Sequence, residues 1–276
     1  MRGLKNEKEK VEEFFDKYAE IYNSGTYPSV LITNPRSAMS FADDIIWHFM
    51  LKYIPENKDI NILDAGAGDG DWSQKVIKLG YKNITLLDIS EEMLKEAKIR
   101  LSNLKSKCEV QYIKGNIIDM KALKPNTFDF VFSIYDAVSY CLKPKLAMTE
   151  LARVVKEHGY VIVVLDTKFR RVSEYIESNY LEEAKILLNT NISNEFGFPQ
   201  YNFCWEELAE CFEAANLEVI EVVGAPVFVH QIKHEILEKL EEDPQTRSEL
   251  LRLELENCTN RSLVNFAGHL QIIGRK

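Results

Sequence analysis

The sequence predicts an α/β fold: a seven-stranded, mostly parallel sheet with helices on both faces and a helical cover. Three observations predict it. Short apolar runs alternate with amphipathic helical stretches from residue 60 to residue 166, the pattern of strand-helix-strand units. The first two runs end in acids, Asp64 and Asp88, about one strand-helix-strand step apart. Gly66, Gly68 and Gly70 follow the first acid, so the backbone can turn sharply and a ligand can lie close against it.

The elements follow in order. Val11, Phe14, Phe15, Tyr18, Ile21 and Tyr22 recur at helical spacing, and residues 24–29 break that helix. A second amphipathic helix carries Phe41, Ile45, Ile46, Phe49, Met50 and Tyr53 and ends near Pro55. Both helices precede the first strand, so they can cap the sheet's carboxyl edge. The run ending at Asp64 reads as a buried parallel strand, and Trp72 opens a helix whose first amides can hold polar ligand atoms. Residues 83–88 form the second strand, and Ser90 caps the next helix. Residues 109–114 are the third strand and 128–133 the fourth. A helix over 146–156 is ended by His158-Gly159, before a fifth strand at 160–166.

Residues 167–202 interrupt the alternation with a charged helical stretch and an aromatic loop at 191–202, a natural lid. A helix from 204 to 215, a sixth strand at 217–223, a helical insertion over 230–258 and a last strand at 269–275 complete the chain. This reads as one domain over 1–276. It has a cap at 1–56, a core at 57–166, a lid at 167–203 and a sheet-completing segment at 204–276.

The glycine turn narrows the ligand. A phosphate-cradling loop needs Gly-Lys-Ser/Thr, which is absent. A dinucleotide fingerprint needs a sixth-place glycine where Asp71 stands. An acid beside the turn suits a cationic ligand and repels a pyrophosphate; Asp69 and Asp71 act in the same sense. Asp64 with Gly66, Gly68 and Gly70 resembles the first motif of class I S-adenosylmethionine-dependent methyltransferases of the small-molecule type. The Phe-Asp-x-Val-x-Ser pattern of 128–133 is a second resemblance, and residues 14–22 resemble the opening of many such enzymes.

The resemblance implies a Rossmann-like sheet whose last strand runs antiparallel beside the sixth, and S-adenosyl-L-methionine as cofactor. It implies cofactor contacts from Tyr18, Tyr22, Asp64, Ala65, Gly66, Gly68, Asp88, Ile89, Met93, Asn116, Ile117 and Ser133. Asp88 can accept both ribose hydroxyl protons, Ile89 and Met93 can sandwich adenine, and Asn116 is the candidate purine reader. Each tyrosine, Met93 and Asn116 also has a plain packing or turn reading. Tyr135, Asp136, Tyr140 and His230 are the candidates for base or positioning roles, and Phe196, Phe198 and Tyr201 for acceptor walls. His230 and His234 sit four apart, but Gln231 stands where a zinc-protease pattern needs Glu and no third ligand is evident, so no metal is expected.

Totals bound the rest. The chain has 276 residues, 46% of them hydrophobic, and a net charge of −9 from 34 basic and 43 acidic residues. That balance lacks the basic footprint of nucleic-acid binding. Apolar stretches fall short of a membrane span, and the amino terminus lacks an apolar secretion core. Five scattered cysteines without a Cys-x-x-Cys pair read as reduced thiols in the cytoplasm. The expected partner is a small-molecule methyl acceptor, not a nucleic acid or a membrane. A nicotinamide-dependent oxidoreductase and a non-catalytic S-adenosylmethionine-binding module are the alternatives.

Overall fold

Ile62, Leu86, Phe130, Phe132 and Ile162 alternate with Leu63, Leu87, Val131, Val161 and Val163 along neighbouring strands, so both faces of the sheet are apolar and both must be covered. The computed structural model describes residues 6–23, 36–104, 108–194 and 196–276. Its first half comprises α1 (Glu7–Asn23), α2 (Arg36–Tyr53), β1 (Asn61–Ala65), α3 (Asp71–Lys78), β2 (Asn83–Asp88), α4 (Glu91–Ser102), β3 (Glu109–Lys114), β4 (Phe128–Ser133), α5 (Ala137–Tyr140), α6 (Pro144–Val154) and β5 (Val155–Asp166). Then come α7 (Lys168–Glu177), α8 (Leu181–Thr190), β6 (Ile192–Asn194), β7 (Pro199–Tyr201), α9 (Trp205–Ala214), β8 (Glu218–Ala225), α10 (His234–Glu241), α11 (Pro244–Asn257), α12 (Arg261–Val264) and β9 (His269–Arg275).

The sheet order is β3-β2-β1-β4-β5-β9-β8. β1 to β5 pair in parallel, and β9 is wedged antiparallel between β5 and β8. The seven-stranded, mostly parallel sheet expected from the sequence is present. The chain runs outward one way from β1 through β2 and β3, and the other way through β4 and β5. That reversal leaves a crevice at the carboxyl ends of β1 and β4, where open sheets of this kind hold ligands. α2, α3 and α4 cover one face through Ile45, Ile46, Val76, Ile77, Leu94 and Ala97. α6 and α9 cover the other through Met148, Leu151, Leu208 and Phe212.

Three expectations are corrected. α2 does not cap the carboxyl edge: Ile45, Ile46, Phe49 and Met50 are buried against a sheet face, and only its first turns reach the edge. α6 stops at Val154 rather than Lys156, because Val155 already pairs with Phe128 of β4. The 191–202 segment is not plain loop: Ile192–Asn194 and Pro199–Tyr201 pair as a small hairpin. The predicted break at 24–29 lies outside the described residues.

The helical insertion is tied to the sheet by one carboxylate. Glu254 of α11 is fully buried and accepts the backbone N–H groups of Val227, Phe228 and Val229 at 2.6, 2.8 and 2.7 Å. These amides belong to the turn leaving β8 and have no helix or ladder to satisfy them. Glu254→Ala strands all three, so it should cost about 3 kcal/mol and lower Tm by roughly 6–12 °C. Differential scanning calorimetry checks this, and Glu254→Gln, which keeps an acceptor oxygen, should lose less.

Candidate active site

The glycine turn is built for two purposes. Gly66, Gly68 and Gly70 have φ of 88°, 52° and 78°, backbone that costs a residue with a side chain roughly 1 kcal/mol or more. A Cβ on Gly66 would lie 2.3 Å from the methyl of Ala137, and one on Gly70 would lie 3.0 Å from that of Ala97. These two let the turn seat against α5 and α4. A Cβ on Gly68 would meet nothing within 4 Å, so that glycine faces open space.

Two carboxylates flank this space at the ends of β1 and β2. Asp64 is buried and accepts from Ser73 Oγ at 2.7 Å. Burial, with Asp88, Asp69 and Asp71 adding their charge, pushes its carboxyl up to about 8. Asp88 Oδ2 accepts from the Gly68 N–H at 2.8 Å, and Oδ1 from the Ser90 N–H at 2.9 Å. Burial raises it to about 6 against the lowering effect of those amides. Ser90 caps α4 by accepting from the Met93 N–H at 3.0 Å and donates to Asp16 of α1 at 2.5 Å. Asp69 and Asp71 are held by Arg100, and Asp71 also by Lys75 at 3.5 Å.

A cavity of about 1000 Å³ opens over the turn. Asp64, Gly66, Gly68, Asp88, Ile89, Met93, Asn116 and Ile117 line it, as do Tyr135, Asp136 and Tyr140. Asn116 Oδ1 accepts from the Ile118 N–H at 3.1 Å, which pins the loop after β3. Ala65 and Ser133 are buried in the sheet behind the turn rather than in the cavity wall. Tyr18 is outside the wall, its ring tilted on Phe14 at 4.8 Å, and the side chain of Tyr22 lies outside the described residues. His230 is also outside the wall; it sits in the turn after β8, where burial pulls its pKa down to about 4. The side chain of His234 lies outside the described residues, and no three-ligand metal cluster occurs among those described.

The end of the cavity beyond the turn is built around Tyr135. Tyr135 and Asp136 have φ of 61° and 72°, two adjacent strained residues where β4 leaves the sheet. Tyr135 donates its hydroxyl hydrogen to Asp43 of α2, and its ring lies 6.0 Å from Trp72 and 5.0 Å from His269. Asp136 Oδ1 accepts from the Asp166 N–H at 2.9 Å, Ser139 Oγ at 3.1 Å and Gln200 Nε2 at 3.3 Å. It therefore knits β4, β5 and the β6–β7 hairpin together. Phe196 lines the cavity at the hairpin tip, stacked on Phe14 at 5.1 Å; Phe198 is buried behind it and Tyr201 packs on Phe203 at 4.6 Å, away from the wall.

Sequence reasoning missed Asp43, Trp72, Asp166 and His269, all in the cavity wall. Asp166 ends β5 as Asp64 and Asp88 end the first two strand runs, so the same signal was there to use. Burial alone would raise Asp166, but Arg170 and Arg171 at 2.7 and 2.6 Å outweigh it and hold it below the usual range. His269 Nε2 lies 3.3 Å from Asp166, and burial keeps the imidazole near pKa 4.

Residues 63–163 match the family model of a methyltransferase domain. Over that segment, as in its strand order, the chain is similar to S-adenosylmethionine-dependent methyltransferases. It is 29% identical over 175 residues to an uncharacterized protein of Methanocaldococcus jannaschii, covering 62% of this chain and 67% of that one. It is also 29% identical over 188 residues to malonyl-[acyl-carrier protein] O-methyltransferase of Buchnera aphidicola, covering 66% and 67%. Among solved structures, magnesium protoporphyrin IX methyltransferase of Synechocystis, with S-adenosylhomocysteine bound, superposes with a TM-score of 0.61. That pair shares 12% identity and covers 98% and 100% of the two chains, a likeness of fold. The methyltransferase's cavity fits the cofactor: open space beside Gly68 and buried acids that lack a facing cation suit a ligand carrying an ammonium group.

The raised pKa of Asp64 makes a stability prediction. Folding favours its protonated form, so its favourable contribution is complete below about pH 4 and lost as pH rises through 8. Asp64→Asn should therefore raise the Tm of the cofactor-free methyltransferase at pH 9, by roughly 2–4 °C per kcal/mol recovered, and change it little at pH 4.5. Thermal melts across that range check the sign. A variant less stable than wild type at pH 9 would contradict the burial argument.

Proposed function

We propose that this methyltransferase moves the methyl of S-adenosylmethionine to a small organic acceptor in the cytoplasm. The acceptor enters beneath α1 and the β6–β7 hairpin. One observation carries the reading: the cavity runs unbroken from Asp64 and Gly68 to Tyr135, Asp166 and Phe196. At about 1000 Å³ it is at the upper end of single-ligand pockets, room for a cofactor and a second small molecule. No described helix is long and apolar enough to cross a membrane, and all five cysteines are free thiols.

In this reading Asp64 meets the cofactor's ammonium and Asp88 takes the ribose hydroxyls. Ile89 and Met93 flank the adenine, with Asn116 and Ile117 at its edge. Tyr135, Asp136 and Tyr140 line the acceptor end, and Asp136, with three donors on one oxygen, positions rather than reacts. The transfer is an in-line displacement at carbon, so the chain's main work is to align the two ligands and exclude water.

Isothermal titration tests the reading. S-adenosylhomocysteine should bind and NAD should not. Asp88→Asn should weaken S-adenosylhomocysteine binding by about 10- to 100-fold, the range of one or two hydrogen bonds to a charged group. The Asp64 proton must leave when an ammonium arrives. Binding of S-adenosylmethionine should therefore release a proton below pH 8 and weaken as pH falls from 8 to 6. Tighter binding of NAD, or affinity flat across that range, would defeat these assignments.

A further inference from the structure

We propose that the methyl acceptor is an amine, recognised by Asp43 and the aromatic rings beside it. The inference rests on the methyltransferase reading above and adds the chemical class of its substrate.

The charges on the cavity wall point one way. Among the described lining residues, eight carboxylates stand against two lysines, Lys8 and Lys143. Arginines compensate some of these acids: Arg100 holds Asp69, and Arg170 and Arg171 hold Asp166. Asp43 is served less well. Its cation is Lys75 at 3.2 Å, and Lys75 also serves Asp71 at 3.5 Å. Among the described residues Asp43, Asp69 and Asp71 thus share Lys75 and Arg100, a local excess of one negative charge. A carboxylate or phosphate acceptor would meet repulsion here, and an ammonium would supply the missing charge.

The geometry agrees. Asp43 sits on α2 at the cavity wall, and Tyr135 fixes it by donating a hydrogen bond to Oδ1. Its side chain is 37% exposed although protein atoms crowd around it, because the open side is the cavity. The rings of Trp72 and Tyr135 stand next to it, 6.0 Å apart and edge to face. A carboxylate beside aromatic rings is the chemistry that holds an ammonium, by a charged hydrogen bond and by an open ring face. The protein already makes this contact once, since the Lys75 ammonium lies 3.8 Å from the Trp72 ring centre while it pairs with Asp43.

The same carboxylate completes the reaction. A protonated amine has no lone pair to attack with, so it must first give a proton to Asp43. Burial raises the Asp43 carboxyl, which makes it a better proton acceptor than an exposed carboxylate. The freed nitrogen pair then forms the N–C bond as the C–S bond breaks, and the electron pair of that bond stays on sulfur. The products are an N-methylammonium and S-adenosylhomocysteine, and Asp43 returns its proton to water.

The test uses full-length protein saturated with S-adenosylhomocysteine and two probes that differ in charge, benzyltrimethylammonium and phenylacetate. The cation should bind at least about tenfold more tightly than the anion. Asp43→Asn should bring the two within about twofold while leaving S-adenosylhomocysteine affinity unchanged. Tyr135→Phe, which frees Asp43 without removing it, should narrow the preference part-way, and it carries the test if Asp43→Asn does not fold. With S-adenosylmethionine, ring-bearing primary amines should gain one methyl on nitrogen and matched phenols should gain none. Equal or tighter binding of phenylacetate, no binding of either probe, a preference that survives both variants, or methylation of the phenols instead would overturn the proposal. Failure of S-adenosylhomocysteine itself to bind would strike the methyltransferase reading rather than this one.

Discussion

The site depends on what Asp88 holds. One oxygen takes the amide of Gly68 and the other the amide of Ser90, so a single carboxylate fixes the glycine turn after β1 and the start of α4. Ser90 passes the constraint on by capping α4 and bonding Asp16, which docks α1 over the cavity. Cover, turn and α4 therefore share one anchor at the end of β2. Burial raises this carboxyl even with two amides in place. The protein thus keeps a costly group where hydrogen-bond donors from a ligand would offset the cost.

The end of the cavity over the glycine turn was legible because it is local. Asp64, the glycines and Asp88 follow from strands that end in acids and from a turn that requires positive φ, both of which short sequence windows record. Even there the glycines look alike in sequence and differ in structure. Gly66 and Gly70 are needed for packing on Ala137 and Ala97, and Gly68 alone faces open space. That difference depends on residues far along the chain, which the motif cannot reveal.

The end of the cavity around Tyr135 was poorly legible for the same physical reason. Asp43 lies on a helix whose apolar stripe gives no hint that its polar side meets Tyr135, far along the sequence. His269 enters the wall because β9 runs antiparallel, which puts the strand's first residue, not its last, at the carboxyl edge. His230, a base or positioning candidate from the sequence, does not line the cavity. The turn anchored by Glu254 holds it outside the wall. Tyr18 shares the apolar face of α1 with Val11 and Phe15 but lies outside the wall, its ring tilted on Phe14 at 4.8 Å.

The two halves differ in what fixes them, and this explains how one fold serves many acceptors. The crevice between β1 and β4 comes from sheet topology, so any chain with this strand order has a place for the cofactor. The opposite wall comes from α1, the first turns of α2 and the β6–β7 hairpin, none of which belongs to the main sheet. α1 and the hairpin tip meet through aromatic contacts such as Phe14 on Phe196 at 5.1 Å and on Phe198 at 5.4 Å. Ring contacts of this kind tolerate changes in angle and size better than buried hydrogen bonds do. Acceptor preference can therefore shift through the cover while Asp64, Gly68 and Asp88 stay where the sheet puts them. Fold likeness alone does not carry a substrate from one member to another, and the charges on the cover side are the better guide.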